Sequence, residues 1–170
     1  PASRCNFARV TVNGEDLGVY TNIESIKKPF LRRHFDDDDG NLYEGTLSDF
    51  REGWTGTYEQ KTNEEEPDTA TIDAISAALE GPDEMLLEAL SGPLDLDAFF
   101  TFWATEILVA HWDGYSGNTN NHYFYVDPDT GKARSDTCTR RTRSRSRESR
   151  IFSIFVSPPP PPSAGSIGSG

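Results

Sequence analysis

An aspartate and an asparagine stand five positions apart, at Asp113 and Asn118, directly after a long apolar segment. A carboxylate can accept the proton of a hydroxyl group, and a carboxamide offers an oxygen to a hard cation such as Mg²⁺. Both groups are needed where a hydroxyl attacks a phosphate whose charge a cation neutralises. The spacing therefore predicts a phosphoryl-transfer loop. An ordinary polar loop is the alternative, because Asp and Asn are common in loops.

The segment before this pair has the strongest helical pattern of the chain. Apolar residues recur at helical spacing, and Asp95 can cap the first turn. The helix would anchor the loop, with Trp112 packing the loop down and Gly114 and Gly117 allowing tight turns. The residues predicted to form its core face are Leu96, Phe99, Phe100, Trp103, Ile107 and Ala110.

The remaining elements predict an α+β fold. Alternating residues on both sides of Asn13-Gly14 indicate a β-hairpin, because this dipeptide suits a two-residue turn. SIKKPFLRRHF, TATIDAISAALEG and PDEMLLEALSG predict helices, and NLYEG, TYEQKT and HYFYV predict strands. DPDTG then predicts a turn, after which no return strand is visible. We expect a small antiparallel sheet with one helix to about residue 66, followed by a mainly helical part.

The charge of the chain is unevenly distributed. The net charge is −12, yet eight Lys/Arg and only two Asp/Glu lie between Lys132 and Arg150. The acidic body excludes nucleic acid as its partner and suits basic substrates, or metal ions carrying anionic ones. Cys5 and Cys138 form neither a disulfide framework nor a zinc set. No apolar run is long enough to predict a membrane span.

The composition changes after Gly131, which predicts a body of residues 1–131 and a disordered Arg/Ser- and Pro-rich tail of residues 132–170. One interpretation of the tail is an arm that binds nucleic acid or anionic surfaces. The other is an out-of-frame reading of a GC-rich gene, which would leave the body truncated. The start PASRCNF, which lacks Met, is interpreted as a fragment or a processed start.

Four blocks together resemble the CotH family of spore-coat-type atypical protein kinases. They are VTVNGEDLGVYTNIESI, FLRRHFDDDDGNLYEG, YEQKTNEEE and WDGYSGNTNNHYFYVDPDTGK, and the resemblance covers roughly residues 4 to 132. It implies a fold distantly similar to eukaryotic protein kinases, and the use of ATP with Mg²⁺. It also implies phosphorylation of Ser or Thr in coat proteins and a location in the spore coat or cell envelope. Together with the acidic body, which suits basic substrates, it leads us to expect a Ser-rich, basic protein substrate.

The resemblance also implies roles for individual residues. Asp113 would be the catalytic aspartate and Asn118 a metal ligand, with Asn121 in the same neighbourhood. Kinase chemistry further needs a lysine on the phosphates, steadied by a glutamate. Lys61 is the candidate lysine and Glu24 its candidate partner. A surface lysine and a helix-start glutamate are the alternative interpretation of these two residues.

One departure from the family pattern bears on activity. Members continue after the DPDTG turn into a segment whose aspartate binds a second metal position, and ARSDTCTRRTRSRS stands there instead. We therefore expect impaired kinase activity in this chain. The alternative function is a non-catalytic acidic structural or binding module of the spore coat or cell envelope.

Overall fold

The computed structural model describes residues 1–135, so the predicted tail lies outside the described residues from position 136 onward. The described residues fall into two units, one of residues 4–25 and a body of residues 1–3 and 26–135. Helices and antiparallel sheets occur together, which confirms the predicted α+β class.

The smaller unit is a two-stranded hairpin. Its strands are β1 (Cys5–Val12) and β2 (Glu15–Ile23), paired antiparallel. Asn13 and Gly14 connect them with φ of 51° and 86°. Both angles lie in the left-handed region that this turn requires and that Asn and Gly accept most readily. The predicted hairpin is confirmed.

The body holds five helices and four strands among the described residues, together with single 3₁₀ turns at Thr55–Thr57 and Asp83–Met85. None of the helices in residues 1–135 has the length and apolar character needed to cross a membrane. The helices are α1 (Lys28–His34), α2 (Ala70–Leu79), α3 (Leu86–Leu90), α4 (Leu96–Leu108) and α5 (Tyr115–Asn118). The strands are β3 (Asn41–Gly45), β4 (Tyr58–Gln60), β5 (His122–Asp127) and β6 (Lys132–Arg134).

The main sheet has the strand order β4-β3-β5-β6 and is antiparallel throughout. Its centre joins distant parts of the sequence, with Glu44 opposite Tyr123 and Gly45 opposite His122. The prediction that the sheet ends near residue 66 is therefore wrong, whereas the mainly helical part predicted after that position is confirmed by four helices in residues 70–118. Local patterns predict that a strand exists, but they do not show which distant strand it pairs with.

The strand β6 corrects a second prediction, since a return strand does follow the DPDTG turn. Ala133 in β6 is fully buried and pairs with Val126 of β5. The strand begins at Lys132, the position at which the sequence predicted the tail to begin. Three residues are too few to show an alternating pattern, so this strand had no clear sequence signal.

One face of the sheet carries an aromatic core. Tyr43 of β3 stacks on Phe124 of β5 with ring centroids 4.9 Å apart, and Phe50 and Tyr58 pack edge-on or tilted against the same ring. The helix α2 covers this face. The buried members of this cluster are Tyr43, Phe50, Ile72, Ile75, Leu94, Phe124 and Ala133.

The helix α1 covers the opposite face. Phe30, Leu31 and Phe35 pack there against Leu42 of β3 and Tyr125 of β5, and all five are buried. The helix predicted for SIKKPFLRRHF is confirmed, and its apolar residues are the ones that face the sheet. The Tyr125 hydroxyl is also satisfied, because it accepts from the Gly40 amide at 2.7 Å and donates to the Asp37 carbonyl at 3.0 Å.

The helix α4 forms as predicted, and the Asp95 carboxylate accepts from the Ala98 amide at 3.1 Å as its N-cap. Its predicted core face, however, is largely exposed: the exposed fraction is 46% for Phe100, 41% for Trp103 and 66% for Ile107. The residues of this face that pack on the sheet core are Leu96 and Phe99. Helical spacing shows that one face is apolar but not whether another element covers it.

We predict that Gly45→Ala destabilises the sheet. A Cβ at this position would lie 2.2 Å from Cε1 of the buried His122 ring. Because the ring is enclosed, we expect the free energy of unfolding to fall by about 2 kcal/mol, in the range typical of overpacking. Urea denaturation measures this change.

The matched control is Gly56→Ala, since a Cβ at Gly56 meets nothing within 4 Å among the described residues. We expect this variant to unfold at nearly the wild-type urea concentration. Equal midpoints for the two variants would show that the close approach of Gly45 to His122 does not constrain the sheet.

Candidate active site

The predicted loop begins with a sharp reversal of the chain at the end of α4. Ala110 has φ of 54°, and the His111 amide donates to the Glu106 carbonyl at 2.9 Å. Further along, Thr119 and Asn121 have φ of 50° and 48°. A non-glycine residue in this region costs about 1 kcal/mol or more, and such conformations concentrate at functional sites. The loop is therefore a strongly constrained structure.

Three asparagine side chains surround the Asp113 carboxylate. Oδ1 accepts from Asn118 Nδ2 at 2.9 Å and from Asn120 Nδ2 at 3.3 Å. Oδ2 accepts from Asn121 Nδ2 at 2.7 Å, and the same nitrogen donates to the Asp113 carbonyl at 3.0 Å. The structure thus brings Asp113 and Asn118 together with Asn121, which the family resemblance placed in the same neighbourhood, and it adds Asn120 to them.

The orientation of these amides has chemical consequences. A carboxylate is an acceptor only, so each asparagine presents nitrogen to it and the carboxamide oxygen is turned to the other side. Asn118 is exposed, so its oxygen is accessible to an incoming cation. Of the roughly four acceptor positions of a carboxylate, three are used by side-chain amides, which leaves one on Oδ2 of Asp113.

The same amides control the charge of Asp113. Hydrogen bonds from Asn118, Asn120 and Asn121 lower the pKa of the Asp113 carboxyl below its ordinary value, and the nearby His111 acts in the same direction. Donors to a carboxylate stabilise its charged form. Asp113 is therefore an anion at neutral pH.

The aromatic anchor of the loop is Tyr115. Its ring lies 6.0 Å from Phe99 and 4.8 Å from His122, between centroids, so it connects α4 to the sheet. Trp112, which was predicted to pack the loop down, is 78% exposed, and that prediction is wrong. Both rings suit an apolar contact, and only the path of the backbone decides which of them points inward.

Gly114 and Gly117 are required for close approach of the chain rather than for a special turn conformation. A Cβ at Gly114 would lie 2.3 Å from Glu106 Oε1, and one at Gly117 would lie 2.2 Å from the Trp112 carbonyl oxygen. The predicted need for glycine holds at both positions. The reason is that there is no space for a side chain.

Glu106 binds this loop from the helix α4, and its role was not predicted from the sequence. It lies on α4, is only 5% exposed, and accepts from the backbone amides of Tyr115 at 3.1 Å and Ser116 at 2.8 Å. The sequence did contain a signal for this buried glutamate. Glu106 follows Phe99 by seven positions, so an acidic residue shares the face of the helix that packs inward.

Lys61 lies just after β4 and binds two carboxylates. Its Nζ is 2.9 Å from Glu44 Oε2 and 2.9 Å from Glu59 Oε1, and these hydrogen bonds raise the pKa of Lys61. The Tyr123 hydroxyl also donates to Glu44. Although burial opposes it, hydrogen bonding to Tyr123 and Lys61 lowers the pKa of Glu44. A lysine steadied by a glutamate is thus present in the body.

Glu24 belongs to the hairpin unit, where it is buried and accepts from Arg4. The Arg4 amide donates to Oε2 at 3.1 Å, and Arg4 Nη2 lies 2.8 Å from Oε1. Lys61 and Glu24 therefore each have an ion-pair partner other than the one predicted. Their role in binding a cofactor stays a prediction.

A cavity of about 400 Å³ lies behind the loop, between α1, α4 and the sheet. Its walls are mostly apolar, with polar groups from Glu106, His111 and Asn121. Tyr123, whose hydroxyl reaches Glu44, lines the same cavity. Tyr123 therefore links the pair of Lys61 and Glu44 to a cavity that Asn121 of the loop also lines. Within residues 1–135 no three His, Cys, Asp or Glu side chains cluster as a metal site.

Comparison with known proteins decides the family. Residues 1–137 match the family described as CotH kinase protein, which is most of the chain. This chain belongs to the CotH family. It is also similar to the inner spore coat protein H of Bacillus subtilis (strain 168), with 28% identity over 141 residues. That alignment covers 75% of this chain but 38% of the relative, so the chain spans well under half of the relative's length.

We predict that Asn118→Ala raises the pKa of Asp113 toward the ordinary value of 3.8. The variant loses the hydrogen bond that contributes most to the lowered pKa. A lowered pKa contributes stability above the unfolded-state pKa, and this contribution is lost as the pH falls through the folded-state pKa. The variant should therefore protonate Asp113 at a higher pH. A ¹³C-detected NMR titration of the carboxylate measures it.

Ser116→Ala is the control, because it lies in the same loop and its hydroxyl is not among the groups that donate to Asp113 within residues 1–135. We expect the Asp113 titration to be unchanged in this variant. An unchanged titration in Asn118→Ala as well would contradict the role of the amides.

Proposed function

We propose that this chain is an ATP- and Mg²⁺-dependent protein kinase that transfers the γ-phosphoryl group to Ser or Thr of coat or envelope proteins. One observation carries the proposal. The Asp113 carboxylate is held by Asn118, Asn120 and Asn121 with an acceptor position left, beside an Asn118 oxygen that is free to ligate a cation. Family membership supports it, because the family is described as a kinase protein.

Asp113 would receive the substrate hydroxyl. The remaining acceptor position on Oδ2 can take a hydrogen bond from a serine or threonine, which aligns the hydroxyl oxygen for attack. As the hydroxyl oxygen bonded to the γ-phosphorus, the bond from that phosphorus to the bridging β-phosphate oxygen would break and ADP would leave, while the hydroxyl proton would pass to this carboxylate. Because its pKa is lowered, the carboxylate stays charged below neutral pH, so orientation of the hydroxyl is its main contribution.

Asn118 and Lys61 would bind the phosphate end of the nucleotide. Magnesium usually keeps several waters and takes one or two protein oxygens beside the phosphates, and the exposed carboxamide oxygen of Asn118 can be one of them. An ammonium group has three hydrogens, and Lys61 uses two on Glu44 and Glu59, which leaves one for a phosphate oxygen. Magnesium ATP would supply the phosphoryl group and neutralise its charge.

The order of elements supports a kinase-like arrangement. Protein kinases use a lysine near a strand that a glutamate from a helix steadies, and a catalytic aspartate in a loop. In this chain the glutamate that pairs with the lysine comes from a neighbouring strand instead. The corresponding parts here are Lys61 with Glu44, and the loop between α4 and β5. The place at which the family's aspartate for a second metal position is expected follows β6, outside the described residues.

The charge of the body supports a basic, Ser-rich protein substrate. Outside Lys132–Arg150 the chain has 26 acidic and 8 basic residues, so positively charged segments are attracted to it. The relative in Bacillus subtilis is named an inner spore coat protein. We therefore propose the spore coat as the location of this chain as well.

We predict that Asp113→Ala lowers the rate of phosphate transfer by about 100-fold or more, the range expected when a positioned proton acceptor is removed. The assay incubates the 170-residue chain in excess with labelled ATP, millimolar Mg²⁺ and a basic Ser-rich peptide. A single-turnover format suits the slow transfer expected of a chain with impaired kinase activity.

The control is Asp129→Ala, which removes an exposed carboxylate in the turn between β5 and β6. It should transfer phosphate at the wild-type rate. Equal labelling by Asp113→Ala and wild type would refute the role of Asp113. No labelling by the wild-type chain would refute the kinase proposal for this chain.

The exposed face of α4 favours a second candidate, a non-catalytic acidic binding module. Large apolar side chains are exposed there over neighbouring positions, and such faces mark protein contacts. In this case wild type would show no transfer while still binding a coat protein. The exposed residues are Phe100, Trp103, Ile107 and Leu108 of α4, and Val109 and Trp112 directly after it.

A further inference from the structure

Glu106 is a buried charge in the last turn of α4. Its exposed fraction is 5%, whereas the other residues of α4, which lies within residues 1–135, are half-buried or exposed. A buried carboxylate is costly unless hydrogen bonds compensate for the lost water. The groups that donate hydrogen bonds to Glu106 therefore identify the segment that Glu106 holds in place.

Those donors belong to the loop. Oε1 accepts from the Tyr115 amide at 3.1 Å and lies 3.2 Å from His111 Nδ1, and Oε2 accepts from the Ser116 amide at 2.8 Å. Tyr115 and Ser116 are the first two residues of α5, whose amides have no partner within that helix. Gly114, which precedes α5, provides no side-chain cap. Glu106 supplies this missing cap from a different helix.

The two functional side chains stand on either side of this contact. Asp113 directly precedes Gly114, and Asn118 ends α5, with its amide donating to the Gly114 carbonyl at 2.9 Å. A shift of the first turn of α5 would move Asp113 and Asn118 relative to each other. The bond between them at 2.9 Å thus depends on where Glu106 holds the turn.

We infer that Glu106 is a positioning residue of the phosphoryl-transfer loop, which holds Asp113 and Asn118 at their working separation by binding the amides of Tyr115 and Ser116. The phosphoryl-transfer part of this inference rests on the proposed function. The positioning itself is a property of the loop and can be measured without activity.

The test is Glu106→Gln, which keeps the size of the side chain and replaces one acceptor oxygen by an NH₂ group. One of the two loop amides then faces a donor instead of an acceptor. We expect the rate constant of transfer to fall by about 100-fold, as for a displacement of reacting groups by about 1 Å, while the KM for ATP changes less than twofold. Hydrogen exchange of the Tyr115 and Ser116 amides should accelerate, with exchange in β3 unchanged.

Two further variants complete the design. Glu88→Gln makes the same chemical change at an exposed position of α3 and should match wild type in rate and exchange. Glu106→Asp keeps both carboxylate oxygens and should recover part of the rate. Gly114→Ala, whose Cβ would lie 2.3 Å from Glu106 Oε1, should accelerate exchange of the same amides as Glu106→Gln.

The outcomes separate the two proposals. If wild type transfers no phosphate, the proposed function fails, and the exchange of Tyr115 and Ser116 still decides the positioning role. Wild-type exchange of both amides in Glu106→Gln would overturn the inference. It would also be overturned if Glu106→Gln and Gly114→Ala both lost the exchange protection of β3, because Glu106 would then support the whole fold rather than the loop.

Discussion

The antiparallel pairing of β3 with β5 is the constraint on which the rest of the body depends. This pairing buries Tyr43 against Phe124 on one face and places Leu42 opposite Tyr125 on the other, so both cores require it. It also brings the start of β5, where the loop ends, beside the end of β3. The loop is therefore attached to the sheet at one end and to α4 at the other.

Two carboxylates organise the loop under opposite physical conditions. Asp113 lies near the surface among side-chain amides, which keep it charged and leave it able to accept a further hydrogen bond. Glu106 is buried and accepts from backbone amides, so it stabilises the loop from inside the protein. The first arrangement suits contact with a substrate. The second suits a rigid support for that contact.

The strand β5 connects two parts of the candidate site, the loop at Asp113 and the pair of Lys61 and Glu44. Tyr123 follows the loop by two residues, and its hydroxyl donates to Glu44, which binds Lys61. A displacement of β5 would thus move Lys61 and Asp113 together. Both parts lie within residues 1–137, the range over which the chain matches the CotH family.

Much of the local structure could be predicted from the sequence. The Asn13-Gly14 turn, the helix α1 and the Asp95 cap of α4 each depend on a few neighbouring residues, and all three are confirmed. The proximity of Asp113 and Asn118 also follows from short spacing within one loop. Such features are determined locally, because backbone conformation and side-chain spacing act over only a few residues.

Other features were decided only by the tertiary structure. The pairing of β3 with β5, the partners of Lys61, the exposed face of α4 and the inward turn of Tyr115 rather than Trp112 involve residues far apart in sequence. A sequence pattern shows that a surface is apolar or that a carboxylate needs donors. Only the folded chain decides which surface is covered and which donors arrive, because that choice depends on how distant segments pack together.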